Sequence, residues 1–319
     1  MNMMPYDTTK VADALRKLAL DEGLKNYVLA DPKLRSIAKR VAQKYVAGEK
    51  MIEAIERAVL VNNEGYRATI DFMGESTRSQ SETEAVVREF LHLIKTIKIK
   101  KLQCSISLDL SHIGSVVSYE LCLKNARLLA IATKETGVEM MISMEGAERI
   151  NDILSIHKIV SEEFNHVGVT IQARLHRTRQ DLPELLKRSG RIRLVKGAYD
   201  TSAKLAYPRD SKELRKAYDN YVEQLLRSGH LCSIATHDWD RLKEAEKMIA
   251  QYKTPKQNYI FEFLSGLGVE QAKAMHARGY PVQEYIVYGQ EWWLYVCNRI
   301  AEEPSRLFEA LITAVGHDI

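Results

Sequence analysis

Cysteine is scarce and scattered. Cys104, Cys122, Cys232 and Cys297 form no CxxC pair, which argues against a disulfide scaffold and a zinc ribbon. Cys104 and Cys232 fall in apolar, strand-like runs that suit buried free thiols, so a reducing cytoplasm is expected. No apolar run reaches the ~18 residues of a membrane-spanning helix. The N-terminus, MNMMPYDTTK, lacks the basic and apolar regions of a signal peptide. A surplus of charge is also missing. The 46 Lys and Arg nearly balance the 42 Asp and Glu, and the two signs are interspersed, so no nucleic-acid partner is expected. The most basic stretch, IKIKK at 97–101, reads as a solvated helix end running into a strand. There is no GxSxG elbow, HExxH pair or P-loop, no GxGxxG follows a strand, and the histidines lack metal-ligand spacing. These absences remove the simple hydrolase, zincin and nucleotide-binding classes and leave no metal site.

The periodicities that are present divide the chain. Residues 9–62 carry helical spacing, as in VADALRKLAL and MIEAIERAVLV, with a break at Asp31-Pro32. From Ala68 onward, short apolar runs alternate with longer amphipathic ones. The predicted strands are ATIDFM, LQCSISLDL, EMMISM, GVTIQA, RIRLVK, LCSIAT, NYIFEF and VQEYIV. The predicted helices lie near 81–98, 118–135, 146–163, 180–189, 211–228, 239–251, 267–277 and 290–302. Eight strand–helix pairs in about 250 residues predict the α/β class and a (βα)8 TIM-like barrel over 66–319, behind a helical arm at 1–65. A doubly wound sheet would use fewer pairs.

A barrel of this kind places its chemistry at the C-terminal strand ends. There the sequence supplies Asp71 and Glu75, Asp109 and His112, Ser143 and Glu145, Gln172 and Arg174, Lys196 and Tyr199, Thr236 and His237, Glu262, and Tyr285 with Tyr288. The last helix adds Asn298, Arg299 and Glu302. Each has a plainer reading alone. Lys196 suits a solvated strand end, His237 a satisfied core histidine, and Arg299 with Glu302 a surface pair worth a few tenths of a kcal/mol. Their convergence on one face predicts a site. With no simple catalytic constellation present, an organic cofactor is the natural carrier of the chemistry.

Several of these segments are recognisable. RIRLVKGAYD at 191–200 resembles the fifth-strand signature RLVKGAY of the proline dehydrogenase family. SIATHD at 233–238 is similar to its FATHN, IFEFLSGLG at 260–268 to its seventh strand, and GVTIQARLHR at 168–177 to its fourth. EYIVYGQEWWLYVCNRIAEEPSRL at 284–307 resembles its last strand and helix, and DFMGES at 71–76 its first strand. The resemblance implies non-covalent FAD and oxidation of the proline C–N bond to pyrroline-5-carboxylate. It also implies electron transfer to a quinone, with peripheral membrane contact. It implies cofactor contacts at Gln172, Arg193, Lys196, Gly197, Tyr199, Thr236, His237 and Glu262. Arg193 would lie near the flavin N5, and Lys196 and His237 near the diphosphate.

The substrate side departs from the pattern. The family holds the proline carboxylate with a second-strand lysine and two adjacent helix arginines; here those positions read Asp109 and Asn298–Arg299. The family's third-strand aspartate reads Ser143, and its fourth-strand tyrosine reads Arg174; Tyr285, Arg299 and Glu302 match. Replacing lysine by aspartate changes the local charge by two units and favours an amine cation. Asp109 would pair with a substrate ammonium, act as its base, or form an internal ion pair with Arg174 or Arg299. Three functions stay open: an FAD-dependent oxidoreductase acting on a related amine or imino acid, a proline dehydrogenase using Arg174 and Arg299, and a non-catalytic flavin-binding or regulatory barrel.

Overall fold

The computed structural model describes residues 8–74, 76–199, 201–303 and 305–315, so Glu75 lies outside it. Four helices come first: α1 (Thr8–Ala19), α2 (Glu22–Ala30), α3 (Pro32–Ala42) and α4 (Met51–Asn63). Strands β1 (Arg67–Phe72), β2 (Cys104–Leu108), β3 (Glu139–Ile142) and β4 (Val167–Gln172) alternate with α5 (Gln80–Ile99), α6 (Tyr119–Thr136), α7 (Ile150–Glu163) and α8 (Thr178–Leu185). Then follow β5 (Ile192–Val195), α9 (Lys212–Arg227), β6 (Cys232–Ala235), α10 (Trp239–Tyr252), β7 (Tyr259–Leu264), α11 (Val269–Ala277) and β8 (Val282–Tyr288). The last helices are α12 (Trp292–Glu302) and α13 (Arg306–Ala314). All strands are parallel, and the barrel closes between β1 and β8. The expected (βα)8 barrel is therefore present.

Alternation along each strand separates two surfaces. Ala68, Ile70, Ile106, Leu108, Val169 and Ile171 join one hydrophobic core with helix residues such as Phe90, Leu93 and Ile94. Phe90 is fully buried there, and Phe90→Ala would cost about 3–5 kcal/mol. The alternate residues face the barrel interior and are mostly polar, Met141 and Ile260 excepted. Thr69 Oγ1 lies 2.9 Å from Ser105 Oγ and accepts from Gln283 Nε2 at 2.6 Å. Barrel interiors are usually filled by branched apolar side chains. Here hydroxyls take their place, and the buried charges described below bond to them.

The helical arm differs from a simple appendage. Asp31 caps α3 through Lys33 N and Leu34 N, with Pro32 in the first turn, as the break predicts. Yet Ala54, Ile55, Ala58 and Val61 of α4 belong to the main barrel core, and α4 packs on β1 and β8. That flank normally receives the helix following β8. Helix α12 instead packs on α1 and shares a second core in which Trp292, Val296 and Ile300 meet Tyr45 and Val46. Helix α13 was not expected, although Leu307, Phe308, Leu311 and Ile312 recur at helical spacing in its sequence.

Candidate active site

The mouth has two unlike arcs. In the first, β4, β5 and β6 end in adjacent donors. Gln172 is buried, and its Nε2 donates to the Glu145 carbonyl at 3.0 Å. Lys196 projects outward and pairs with Asp210 at 3.0 Å. The next residue must be glycine: Gly197 has φ +114°, and a Cβ would stand 2.8 Å from Gln172 Oε1. Thr236 and His237 are held by the start of α10, where Asp238 caps the helix and its own amide donates to Thr236 Oγ1 at 3.1 Å. The exposed rings of Tyr199 and Trp239 lie just beyond β5 and β6.

His237 is neutral. Its Nε2 accepts from Leu264 N at 3.1 Å, so Nδ1 carries the hydrogen. Burial lowers its pKa to about 4, helped by Arg306 and Arg299. It can therefore meet an acceptor as a neutral hydrogen-bond donor through Nδ1. Arg174 is placed differently from the expectation. Its guanidinium donates to the carbonyls of Tyr207 and Tyr199, both at 2.8 Å, and of Thr201 at 3.4 Å, and so clasps the loop after β5.

Between the arcs, Arg193 and Glu262 form a buried two-pronged ion pair, at 2.9 and 3.0 Å. Arg193 also donates to Ser107 Oγ at 3.1 Å and Thr170 Oγ1 at 3.3 Å, and stacks on the Tyr285 ring at 4.8 Å. Desolvation opposes its charge, but Glu262, Tyr285 and Asp71 together outweigh this and the guanidinium pKa rises.

The second arc, from β8 through β3, is acidic. Tyr285 Oη donates to Asp71 Oδ2 at 2.5 Å. Desolvation pushes Asp71 up to about 6, against the pull of Tyr285 and Arg193. Asp109 is raised well above the carboxylate range, first by desolvation and then by Asp71 and Glu145; its bond with Ser143 and the charge of Arg149 act the other way. Glu145 accepts from Ser111 N at 3.0 Å and faces Arg149 at 3.6 Å. Among the described residues neither Asp71 nor Asp109 forms a salt bridge, and no group of three or more His, Cys, Asp or Glu is placed to hold a metal ion. The internal ion pair considered for Asp109 is thus not formed among those residues.

Helix α12 adds Arg299, which pairs with Glu302 at 2.7 Å and lies 5.2 Å from the Tyr295 ring. Its side chain is only 13% exposed, while that of Glu302 is 30% exposed, so the pair reaches from the interior to the surface. Arg299 acts electrostatically on Tyr199 and Tyr285, and its Nε is buried without an acceptor. Asn298 is half-buried beside it. A cavity of about 290 Å³ opens near the second arc, lined by Leu110, Glu145, Arg149 and Asp152 among others. A larger groove of about 450 Å³, bordered by Arg35, Lys39 and Arg40, lies on α3 and contains none of these groups.

The model of the proline dehydrogenase family matches residues 54–295. The chain belongs to that family. Proline dehydrogenase 1 of Bacillus subtilis subsp. natto is 33% identical over 264 residues, covering 83% of this chain and 87% of that protein. Proline dehydrogenase of Deinococcus radiodurans is 29% identical over 282 residues, covering 86% and 91%. Among solved structures, proline utilization A from Bdellovibrio bacteriovorus, inactivated by N-propargylglycine, superposes with a TM-score of 0.77. That match is 17% identical and covers 95% of this chain and 41% of the other, so it supports the fold alone.

Proline dehydrogenase family membership makes the second arc the unusual one. Asp109 and Ser143 stand where the family resemblance leads one to expect lysine and aspartate. Sequence reasoning missed Ser107, Tyr295 and Arg149. Ser107 could have been found from the alternation in CSISL, and Tyr295 from its four-residue spacing to Arg299.

Proposed function

We propose that the chain is an FAD-dependent dehydrogenase that oxidises the C–N bond of a secondary amine or imino acid whose ammonium meets Asp109. One observation carries this: Asp71 and Asp109, two carboxylates with no salt bridge of their own among the described residues, lie in the mouth of a proline dehydrogenase-family barrel.

The donor set of the first arc fits FAD. An amide at Gln172, an ammonium at Lys196, a hydroxyl at Thr236 and a neutral imidazole N–H at His237 suit a ligand that combines a diphosphate with a polar ring. Arg193, Gly197, Tyr199 and Glu262 complete the proposed cofactor wall. FAD, when bound there, supplies the two-electron acceptor, and the family resemblance extends the path to a quinone. The chain's own residues bind and orient the amine, and Asp109 takes its proton, since only an unprotonated nitrogen has the lone pair that C–N oxidation needs. Tyr285, Arg299 and Glu302 would form the remaining wall.

The buried, acceptor-free Nε of Arg299 favours a second reading, in which the substrate also carries a carboxylate, as L-proline does. Anaerobic mixing tests both. The purified protein should be yellow, release its flavin on acid precipitation, and bleach faster with pyrrolidine than with L-proline. Rapid bleaching by millimolar L-proline alone would restore the ordinary substrate. A colourless protein that FAD cannot reconstitute would leave a non-catalytic barrel.

A further inference from the structure

The loop between β5 and α9 owes little to apolar burial. Ser202, Ala203, Lys204 and Leu205 are exposed, and within 201–207 only Ala206 is fully buried. A segment of this kind opens locally unless hydrogen bonds hold it. Here the bonds converge on one buried residue, Arg174, just past β4. Its amide donates to the Lys196 carbonyl at 3.0 Å, and its carbonyl accepts from Tyr207 N at 2.8 Å. Each guanidinium nitrogen takes a different carbonyl: Nε that of Tyr207 at 2.8 Å, Nη1 that of Tyr199 at 2.8 Å and Nη2 that of Thr201 at 3.4 Å. The next two residues extend the contact. Leu175 forms an antiparallel bridge with Ala206, and His176 N donates to the Leu205 carbonyl at 3.0 Å. The His176 ring meets Tyr207 edge-on at 4.3 Å.

We infer that Arg174 is a positioning residue, which fixes the β5–α9 loop through bonds internal to the chain and so presets Lys196, Gly197 and Tyr199. The geometry of that stretch is tightly bounded. Its first residue, Lys196, is bonded to Arg174 N, and its last, Tyr199, to Arg174 Nη1. The turn between them is made by Gly197 at φ +114°, where a Cβ would also meet the Arg174 side chain at 3.2 Å. That these residues face a cofactor rests on the function proposed above; the hold on the loop does not.

The residue type matters. A guanidinium is a planar fork whose donors point in fixed, diverging directions, and its charge strengthens each bond to a carbonyl. The tyrosine that the family resemblance leads one to expect at this place has one O–H and can serve one carbonyl. A lysine ammonium is a compact point charge on a flexible stem, so it cannot span the carbonyls of Tyr199, Thr201 and Tyr207 as the fork does. A wall held in this way needs less ordering when a ligand binds, and ordering is a cost that binding must offset.

Trypsin tests the hold on the full-length protein without added flavin. Lys204 is exposed within the loop, and its cleavage follows the open population. Arg174→Ala and Arg174→Tyr should speed cleavage after Lys204 by about 10–100-fold, and Arg174→Lys by less. The urea midpoint and cleavage after Lys273, in α11, should stay near wild type. FAD affinity, read by flavin fluorescence, should fall about tenfold in the alanine and tyrosine variants and recover in part with lysine. Wild-type cleavage at Lys204 in both of those variants would overturn the hold, as would equal acceleration at Lys204 and Lys273. Faster cleavage with unchanged FAD affinity would overturn the presetting. Unchanged cleavage with selective loss of activity on carboxylate-bearing amines would make Arg174 a substrate anchor instead. If the wild type binds no FAD, the proposed function and the presetting fail together, while cleavage at Lys204 still decides the hold on the loop.

Discussion

The two arcs are built from similar strand ends but do opposite things with charge. From β4 to β6 the mouth offers donors: an amide, an exposed ammonium, a hydroxyl and an imidazole kept neutral by burial. From β8 to β3 it offers acceptors, with two carboxyls whose proton affinity is raised. The first arc keeps the residues of the signatures quoted above at Gln172, Lys196, Gly197, Thr236 and His237 and departs from them at Arg174, while the second departs at Asp109 and Ser143. On the proposed function, the difference teaches that one barrel can keep the wall that would hold a cofactor while the opposite wall changes which substrate charge it welcomes. Such independence is possible because each arc hangs on different strands and loops.

Arg193 is where the comparison can be broken most severely, because it touches both arcs. Arg193→Ala strands Glu262 as a buried, unpaired charge and should cost about 3–5 kcal/mol in urea unfolding, with flavin lost on gel filtration. A variant of wild-type stability with full flavin content would remove Arg193 from the junction. Asp109→Asn should separate the arcs cleanly. Flavin content stays intact, while kcat/KM for an amine falls by about 10²–10⁴-fold, the range for a lost general base. Asp109→Lys combined with Asn298→Arg should raise activity with L-proline. Equal amine turnover in wild type and Asp109→Asn would show that the acidic arc does not contact the substrate.

The arcs should also answer pH with opposite signs. Asp71 titrates near 6 when folded, above the carboxylate value of 3.8. Its protonation therefore favours the folded state at low pH, and that contribution disappears as pH rises through 6. His237 is depressed to about 4 from 6.5, so its contribution is present above 6.5 and disappears as pH falls through 4. Between pH 6 and 4, Asp71→Asn should make acidification more destabilising than in wild type and His237→Gln less, each by on the order of 2 kcal/mol. Chemical melts at several pH values read both slopes, and slopes of the same sign would remove the contrast. Lys196→Ala is the mildest change. Its exposed pair with Asp210 should matter by under about 0.5 kcal/mol to stability, whereas FAD affinity should drop about tenfold. Unchanged affinity would place the diphosphate elsewhere.

What could be read in advance follows from how local the cause is. All eight strands were legible because each is a short apolar run with turn chemistry on both sides. The position of α4 was not, because nothing in MIEAIERAVLV says which strands it covers; that depends on α12 lying elsewhere. Places at the barrel mouth were legible wherever a strand end fixes them, as at Lys196 after β5 and Asp109 after β2. Roles that depend on partners far along the chain were hidden. Arg174 looked like a substrate anchor until the carbonyls of Tyr199 and Tyr207 came within its reach. The charge of His237 depends on Leu264 N, and Ser107 became part of the site only through Ser143, Tyr285 and Arg193.

The β1–β8 seam also affects how the chain reaches this structure. Asp71 pairs with Val287 and Phe72 with Tyr288, so the first strand made must wait for the last before its free edge is covered. Until then the nascent sheet has two open edges, the condition under which chains join one another instead of themselves. Closure over so long a loop is entropically slow to begin. Chains that stop short of residue 282 would keep both edges open, and should be recovered as aggregates or as chaperone-bound material.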